Sequence, residues 1–184
     1  MYNENILLVV DMQNDFIDGA LGSEIAKELV PKICEKIKAW DGRIIITQDT
    51  HHKNYLNTSE GRNLPISHCV QGTEGWEVNT MISNTLLLKS VEYDTYTKET
   101  FGCTDLALDL YDDYTFRQED LNIEIVGLVL NICVISNALL IKSFLPEANI
   151  SVDISCSEAT SPEEREAAIL MLKSCHIGII GENS

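Results

Sequence analysis

The chain has 184 residues, 45% of them hydrophobic and 23% charged, and a formal net charge of −16. That length supports a self-sufficient core in a single domain spanning residues 1–184, and that balance excludes a disordered chain. The excess of acid argues against nucleic acid or an anionic membrane surface as partner.

The opening residues, Met1-Tyr2-Asn3-Glu4-Asn5, carry no basic region and run straight into an apolar stretch, so no export signal is expected. No apolar run approaches the roughly 20 residues that span a bilayer. The six cysteines, Cys34, Cys69, Cys103, Cys133, Cys156 and Cys175, show no CxxC pairing and no metal-finger spacing. Together these features predict a cytoplasmic protein with reduced thiols.

Ile6 to Val10 is a continuous apolar run ending at Asp11, which predicts a central parallel strand with a carboxylate at its tip. A tight polar segment, Asp11 to Phe16, leads to a turn at Gly19–Gly22. A helix is predicted from about Ser23 to Lys38, with Ile25, Leu29, Ile33 and Ile37 at spacing four and Trp40-Asp41-Gly42 closing it. Arg43 to Thr47 is the second strand, with Gln48-Asp49-Thr50-His51-His52 at its tip. The long polar loop from there to about Val78 has the character of a functional loop. Leu86-Leu87-Leu88 is predicted as a third short strand, followed by irregular chain through Lys98, and Thr104 to about Tyr114 as a helix.

Asn122 to Gly127 is a further buried strand, followed by a turn and a helix that starts near Cys133 and runs to Phe144. Asn149 to Ser155 is a fifth strand. Ser161 as N-cap, Pro162 at the first helical position and Glu164 three residues on mark a capping box, opening a helix to about Ser174. Ile177 to Ile180 is the last strand. Strands alternating with helices predict a three-layer α/β fold, with about six mostly parallel strands and helices on both faces.

Ligands in such sheets bind outside the carboxyl ends of the strands, and Asp11, Asp49, His51 and Cys133 all fall at such ends. Cys133 sits where a helix N-terminus stabilises a thiolate, which makes it the best nucleophile candidate in the chain, although free cysteine is also among the most buried residue types. Asp11, after five apolar residues, suits a general base with a raised pKa; it equally suits a strand-ending turn cap. Read alone, Lys98 is a surface lysine. Asp49 and His51, at i and i+2, face one side of an extended strand, and Glu60 and His68 complete an oxygen–nitrogen set that suits zinc, manganese or iron(II). The same residues read equally as a solvated polar loop. His52 points the other way, and His176 is structural.

These pieces together resemble the isochorismatase-like cysteine hydrolases, and within them the nicotinamidases. Asp11-Met12-Gln13-Asn14-Asp15-Phe16 is similar to the family's D-x-Q-x-D-F element, and Gly127 to Val134 to its G-x-x-x-x-x-C-V nucleophile turn. Lys98, in Thr-Lys-Glu-Thr-Phe-Gly, falls where the family keeps a lysine. Asp49-x-His51 and the segment Leu64 to Thr73 resemble the metal-binding segments of nicotinamidases.

The resemblance implies a triad of Asp11, Lys98 and Cys133, an oxyanion site at the backbone of Val129 and Cys133, and a cis peptide at Leu128-Val129. It also implies one divalent transition metal, zinc foremost with iron or manganese as alternatives, on Asp49, His51, Glu60 and His68. The chain departs from the family pattern in having Leu64 where an aromatic residue is common and Asn131 where Asp is frequent. The ring clamp then falls to Phe16, Tyr55, Trp76 or Phe101, beside Leu64.

The implied activity is hydrolysis of nicotinamide to nicotinate and ammonia, a step of NAD salvage, by a homo-oligomeric enzyme acting on a small-molecule amide. The alternatives are another small amide or N-carbamoyl compound cleaved by the same triad, and a catalytically silent binding domain.

Overall fold

The structure is a computed structural model, and it describes residues 4–89 and 92–182. In chain order its elements are β1 (Glu4–Val10), α1 (Asn14–Ile17), α2 (Glu24–Ala39), β2 (Arg43–Asp49), α3 (Ser59–Asn63), α4 (Thr80–Lys89) and β3 (Tyr93–Lys98). There follow α5 (Thr104–Tyr114), β4 (Leu121–Leu128), α6 (Ile135–Phe144), β5 (Asn149–Glu158), α7 (Pro162–Ser174) and β6 (Gly178–Ile180). The six strands form one sheet in the order β3-β2-β1-β4-β5-β6, every neighbouring pair parallel.

Both faces of the sheet are covered, so β1 is apolar without alternation. Ile6, Leu8 and Val10 enter one core with Leu106 and Leu110 of α5, Ala138 and Ile141 of α6 and Leu172 of α7. Leu7 and Val9 enter the other, with Leu29, Ile33 and Ile37 of α2 and Ile82 and Leu86 of α4. No helix among the described residues is long and apolar enough to cross a membrane. All six cysteines are free thiols.

Ser23 caps α2 by accepting from the Ala26 N–H at 3.1 Å, and Ser161 caps α7 by accepting from the Glu164 N–H at 3.2 Å. The inward stripe of α2 differs from the predicted one. Ile25 is 51% exposed, and Ala26 and Val30 are buried with Leu29, Ile33 and Ile37, because a period of 3.6 rotates a spacing-four series off the stripe.

The predicted strand at Leu86–Leu88 is not one. These residues end α4, which turns Ile82, Thr85 and Leu86 inward and leaves Leu87 and Leu88 67% and 84% exposed. The third strand is instead Tyr93–Lys98, read from sequence as irregular. It is a polar edge strand whose only buried residue is its last, Lys98.

The β1–β4 contact is close. Gly127 pairs with Val10 and has φ +118°, and a Cβ there would lie 2.1 Å from the Val10 carbonyl oxygen. Only glycine fits such an approach. The Leu128-Val129 peptide is cis, as the resemblance implied. A five-residue π-helical turn, Leu130–Val134, then carries Cys133 into α6.

Candidate active site

Four strand ends supply the polar side chains. Asp11 follows β1 in a left-handed conformation (φ 49°), and its Oδ1 accepts a hydrogen bond from Thr47 Oγ1 of β2 at 2.7 Å. Lys98, the last residue of β3, pairs with Asp49 of β2 in the sheet register. Its Nζ lies 2.7 Å from Asp11 Oδ2, 3.4 Å from Asp49 Oδ1 and 3.5 Å from Cys133 Sγ. The lysine that reads as a surface residue in isolation is 4% exposed, drawn inward by two carboxylates remote in sequence.

Charge and burial set the protonation of this trio. Burial pushes Cys133 well above the ordinary thiol value, and Asp11 adds to that while Lys98 opposes it. The helix N-terminus and Lys98 favour the thiolate expected from sequence, and burial works against it. Burial likewise raises Asp11, against the pull of Lys98. Lys98 stays cationic: burial disfavours its charge, but Asp11, Cys133 and Asp49 more than offset that. Asp11 Oδ2 faces the Lys98 ammonium at 2.7 Å, and Thr47 holds Oδ1.

Beside the trio stands a second cluster. One donor atom each from Asp49, His51, Glu60 and His68 lies within 4.8 Å of all the others. His51 Nε2 is 2.9 Å from Asp49 Oδ2 and 3.5 Å from Glu60 Oε1, and His68 Nε2 is 3.5 Å and 3.8 Å from the same two oxygens. A tetrahedral centre with bonds near 2.0–2.1 Å requires donor separations of roughly 3.4 Å, which these distances bracket.

His68 Nδ1 lies 2.8 Å from the Ile66 carbonyl, which directs Nε2 at the centre, and His51 Nε2 is buried without a hydrogen bond. The residues fit a divalent metal. Burial raises Asp49, yet His51, His68 and Lys98 prevail and hold its carboxyl below the usual range. Burial lowers His51, but Asp49 and Glu60 bring it up to about 9.

The loop that carries His68 is docked by main chain: His51 N–H donates to the Cys69 carbonyl at 2.9 Å and Gln71 N–H to the His51 carbonyl at 2.9 Å. Glu60 stands on α3, whose N-terminus Thr58 caps. Cys133 of the trio and Asp49, Glu60 and His68 of the second cluster line one cavity of about 370 Å³, with Asp11, Lys98 and His51 set behind its wall. Cys133, Val129, Phe16, Leu64, Phe101 and His68 are among its lining. Trp76 and Tyr55 lie outside it. Trp76 turns its Nε1 to Thr50 Oγ1 at 2.9 Å, and the Tyr55 ring packs on His51 and His68 with its hydroxyl on the Leu64 carbonyl at 2.9 Å. A separate hollow of about 470 Å³, lined by Asn5, Asn122 and Asn149, holds none of these groups.

Comparison with known proteins bears on family and fold. The sequence profile of the Isochorismatase domain matches residues 5–182. The chain belongs to the isochorismatase family. It is 23% identical to the nicotinamidase of Saccharomyces cerevisiae, over 95% of this chain and 98% of that protein. A crystal structure of the Pyrococcus horikoshii pyrazinamidase in complex with zinc is 27% identical, with a TM-score of 0.75 over 96% of this chain and 98% of that one. The pyrazinamidase/nicotinamidase of Streptococcus mutans shares the fold at 22% identity, with a TM-score of 0.81 over 96% and 100% of the two chains. These relatives are nicotinamidases and pyrazinamidases, and the chain shares their fold over nearly its whole length.

Three residues to which the sequence reading gave no role support the site. Gln13 clamps the Asp49 backbone at both its N–H (2.7 Å) and its carbonyl (2.8 Å). Asp15 accepts from Cys69 N–H at 2.7 Å and so anchors the His68 loop. Asn137 is fully buried one turn beyond Cys133. Gln13 and Asp15 are the fixed Q and D of the D-x-Q-x-D-F element; Asn137 carries no such signal.

Proposed function

We propose that the chain hydrolyses nicotinamide to nicotinate and ammonia through a thioester on Cys133. The observation that carries this reading is the joining of the Asp11–Lys98–Cys133 trio to a four-residue cluster of metal-type donors through Lys98 and Asp49, with Cys133, Asp49, Glu60 and His68 on the wall of one cavity. Asp11 Oδ2 accepts the Sγ proton as sulfur attacks the amide carbon, and Lys98 balances the negative charge. The carbonyl electrons move to oxygen, where the backbone N–H groups of Val129 and Cys133 receive the oxyanion. Collapse restores the carbonyl and breaks the C–N bond, with Asp11 returning the proton to departing ammonia. Asp11 then takes a proton from water as that water attacks the thioester, and sulfur leaves to recover the proton.

Phe16, Leu64 and Phe101 form apolar wall against the ring. Asp49, His51, Glu60 and His68 would hold a divalent metal, zinc foremost in view of the Pyrococcus relative, which would supply a Lewis acid to orient the pyridine ring.

The test is ammonia release from nicotinamide by metal-loaded protein, with chelated protein and Cys133→Ala run beside it. Release is expected from the first and from neither control. A Cys133→Ala protein that retains substantial amidase activity would sink the nucleophile. No release from a parent protein whose Cys133 still reacts with iodoacetamide moves the substrate to another small amide or N-carbamoyl compound. Leu64 in the cavity wall, in place of an aromatic ring, favours that second reading.

A further inference from the structure

Asn137 takes no part in the chemistry above, yet its side chain is spent on it. Nδ2 donates to the Cys133 carbonyl at 2.8 Å and to the Phe101 carbonyl at 3.2 Å, and Oδ1 accepts from the Cys103 N–H at 2.9 Å. Asparagine is a poor residue for a helix interior, and a buried amide without partners is costly, so its position in α6 depends on these bonds.

Two of the three bonds cross to the segment 99–103, which joins Lys98 at the end of β3 to α5. The same segment is pressed on α6 at a second point. A Cβ on Gly102 would meet the Leu140 side chain and the Ser136 carbonyl oxygen, each at 3.2 Å. Phe101, 46% exposed, is the residue this segment contributes to the cavity.

We infer that Asn137 is a positioning residue: it docks the 99–103 segment on the helix of Cys133 and thereby fixes where the Phe101 ring stands relative to Sγ. This rests on Cys133 being the nucleophile. A serine at this position retains a hydroxyl that back-bonds to the carbonyl at i−4, here that of Cys133, but reaches neither Phe101 nor Cys103. Asn137→Ser therefore keeps the bond within the helix and removes both bonds to the loop. Gly102→Ala does the converse, leaving Asn137 intact while pushing the loop off α6.

Two readouts separate positioning from general loosening. With nicotinamide, Asn137→Ser is expected to raise KM about tenfold and Gly102→Ala about threefold, while kcat stays within about threefold. Labelling of Cys133 by iodoacetamide is expected to stay within about twofold of the parent, whereas labelling by N-phenyl iodoacetamide, whose ring needs the Phe101 wall, falls by at least about threefold. An unchanged ratio of the two labelling rates in folded Asn137→Ser overturns the proposal, as does a parallel fall of kcat and both labelling rates. If Asn137→Ser does not fold, Gly102→Ala decides by the same ratio. The labelling ratio needs no turnover, so a parent that ignores nicotinamide counts against the substrate alone.

Discussion

At the scale of single residues, the proposed mechanism turns on one proton passing from Cys133 to Asp11. Burial pushes both groups up, and Lys98, 2.7 Å from Asp11 Oδ2 and 3.5 Å from Cys133 Sγ, opposes that shift on each. Asp11→Asn keeps the size and can still accept from Thr47, but removes the proton acceptor. Ammonia release is expected to fall by roughly 10³-fold, with iodoacetamide labelling of Cys133 slowed as well. Steady-state rates on a folded variant check this, and activity within tenfold of the parent would count against Asp11 as base.

Asp11, Asp49, His51 and Cys133 were legible because each sits at or near a strand end, where chain order alone predicts a site, whereas Glu60 on α3 and His68 in the loop beyond it were read from residue type within the long loop after β2. Lys98 was legible only through family resemblance. What buries it are Asp11 and Asp49, 87 and 49 positions away in the sequence. Trp76 shows the reverse: an aromatic in the right loop whose indole N–H found Thr50 instead of the cavity.

Among elements, the site depends on α2 and the strands holding their places, and one clasp does much of this. Lys36 of α2 pairs with Glu124 of β4 and Asp153 of β5, side chains that are all largely buried. Removing one partner from such a cluster leaves carboxylates unpaired, so Lys36→Met is expected to cost about 2–4 kcal/mol in urea unfolding at neutral pH. Burial raises Asp153, but Lys36 and Ser155 outweigh it and hold the carboxyl below its ordinary value. A depressed folded pKa contributes stability above the unfolded value, about 3.9, and loses it as pH falls through the folded one. The gap between parent and Lys36→Met is therefore expected to narrow below about pH 4; a gap that widens on acidification would refute the clasp.

The elements that sequence misplaced, Leu86–Leu88 and Tyr93–Lys98, fail for one reason. A short leucine run and a polar edge strand both lack the period that separates helix from strand, and only packing on α2 and β2 decides them.

For the whole molecule, topology and charge bear on the same opening. The chain leaves β1 towards β2 and β3 and returns through β4, β5 and β6, so the crevice between the ends of β1 and β4 is the point where strand order reverses. Asp11 and Cys133 flank it. Within the site, Lys98 answers Asp11, and a bound dication would answer Asp49 and Glu60. The acidic excess over the rest of the chain then acts at the mouth as a long-range field.

In the proposed reaction the substrate, nicotinamide, is neutral and passes through that field unaffected, whereas the product, nicotinate, is an anion and would be repelled, which would favour its departure. Screening shortens from roughly 20 Å at 20 mM salt to roughly 6 Å at 300 mM. Inhibition by nicotinate is therefore expected to strengthen by about threefold or more over that range, with the KM for nicotinamide changing by less than about twofold. Product-inhibition kinetics at the two salt concentrations measure both quantities. Inhibition that weakens with salt would mean that Lys98 and the metal, not the acidic surface, govern what the product feels.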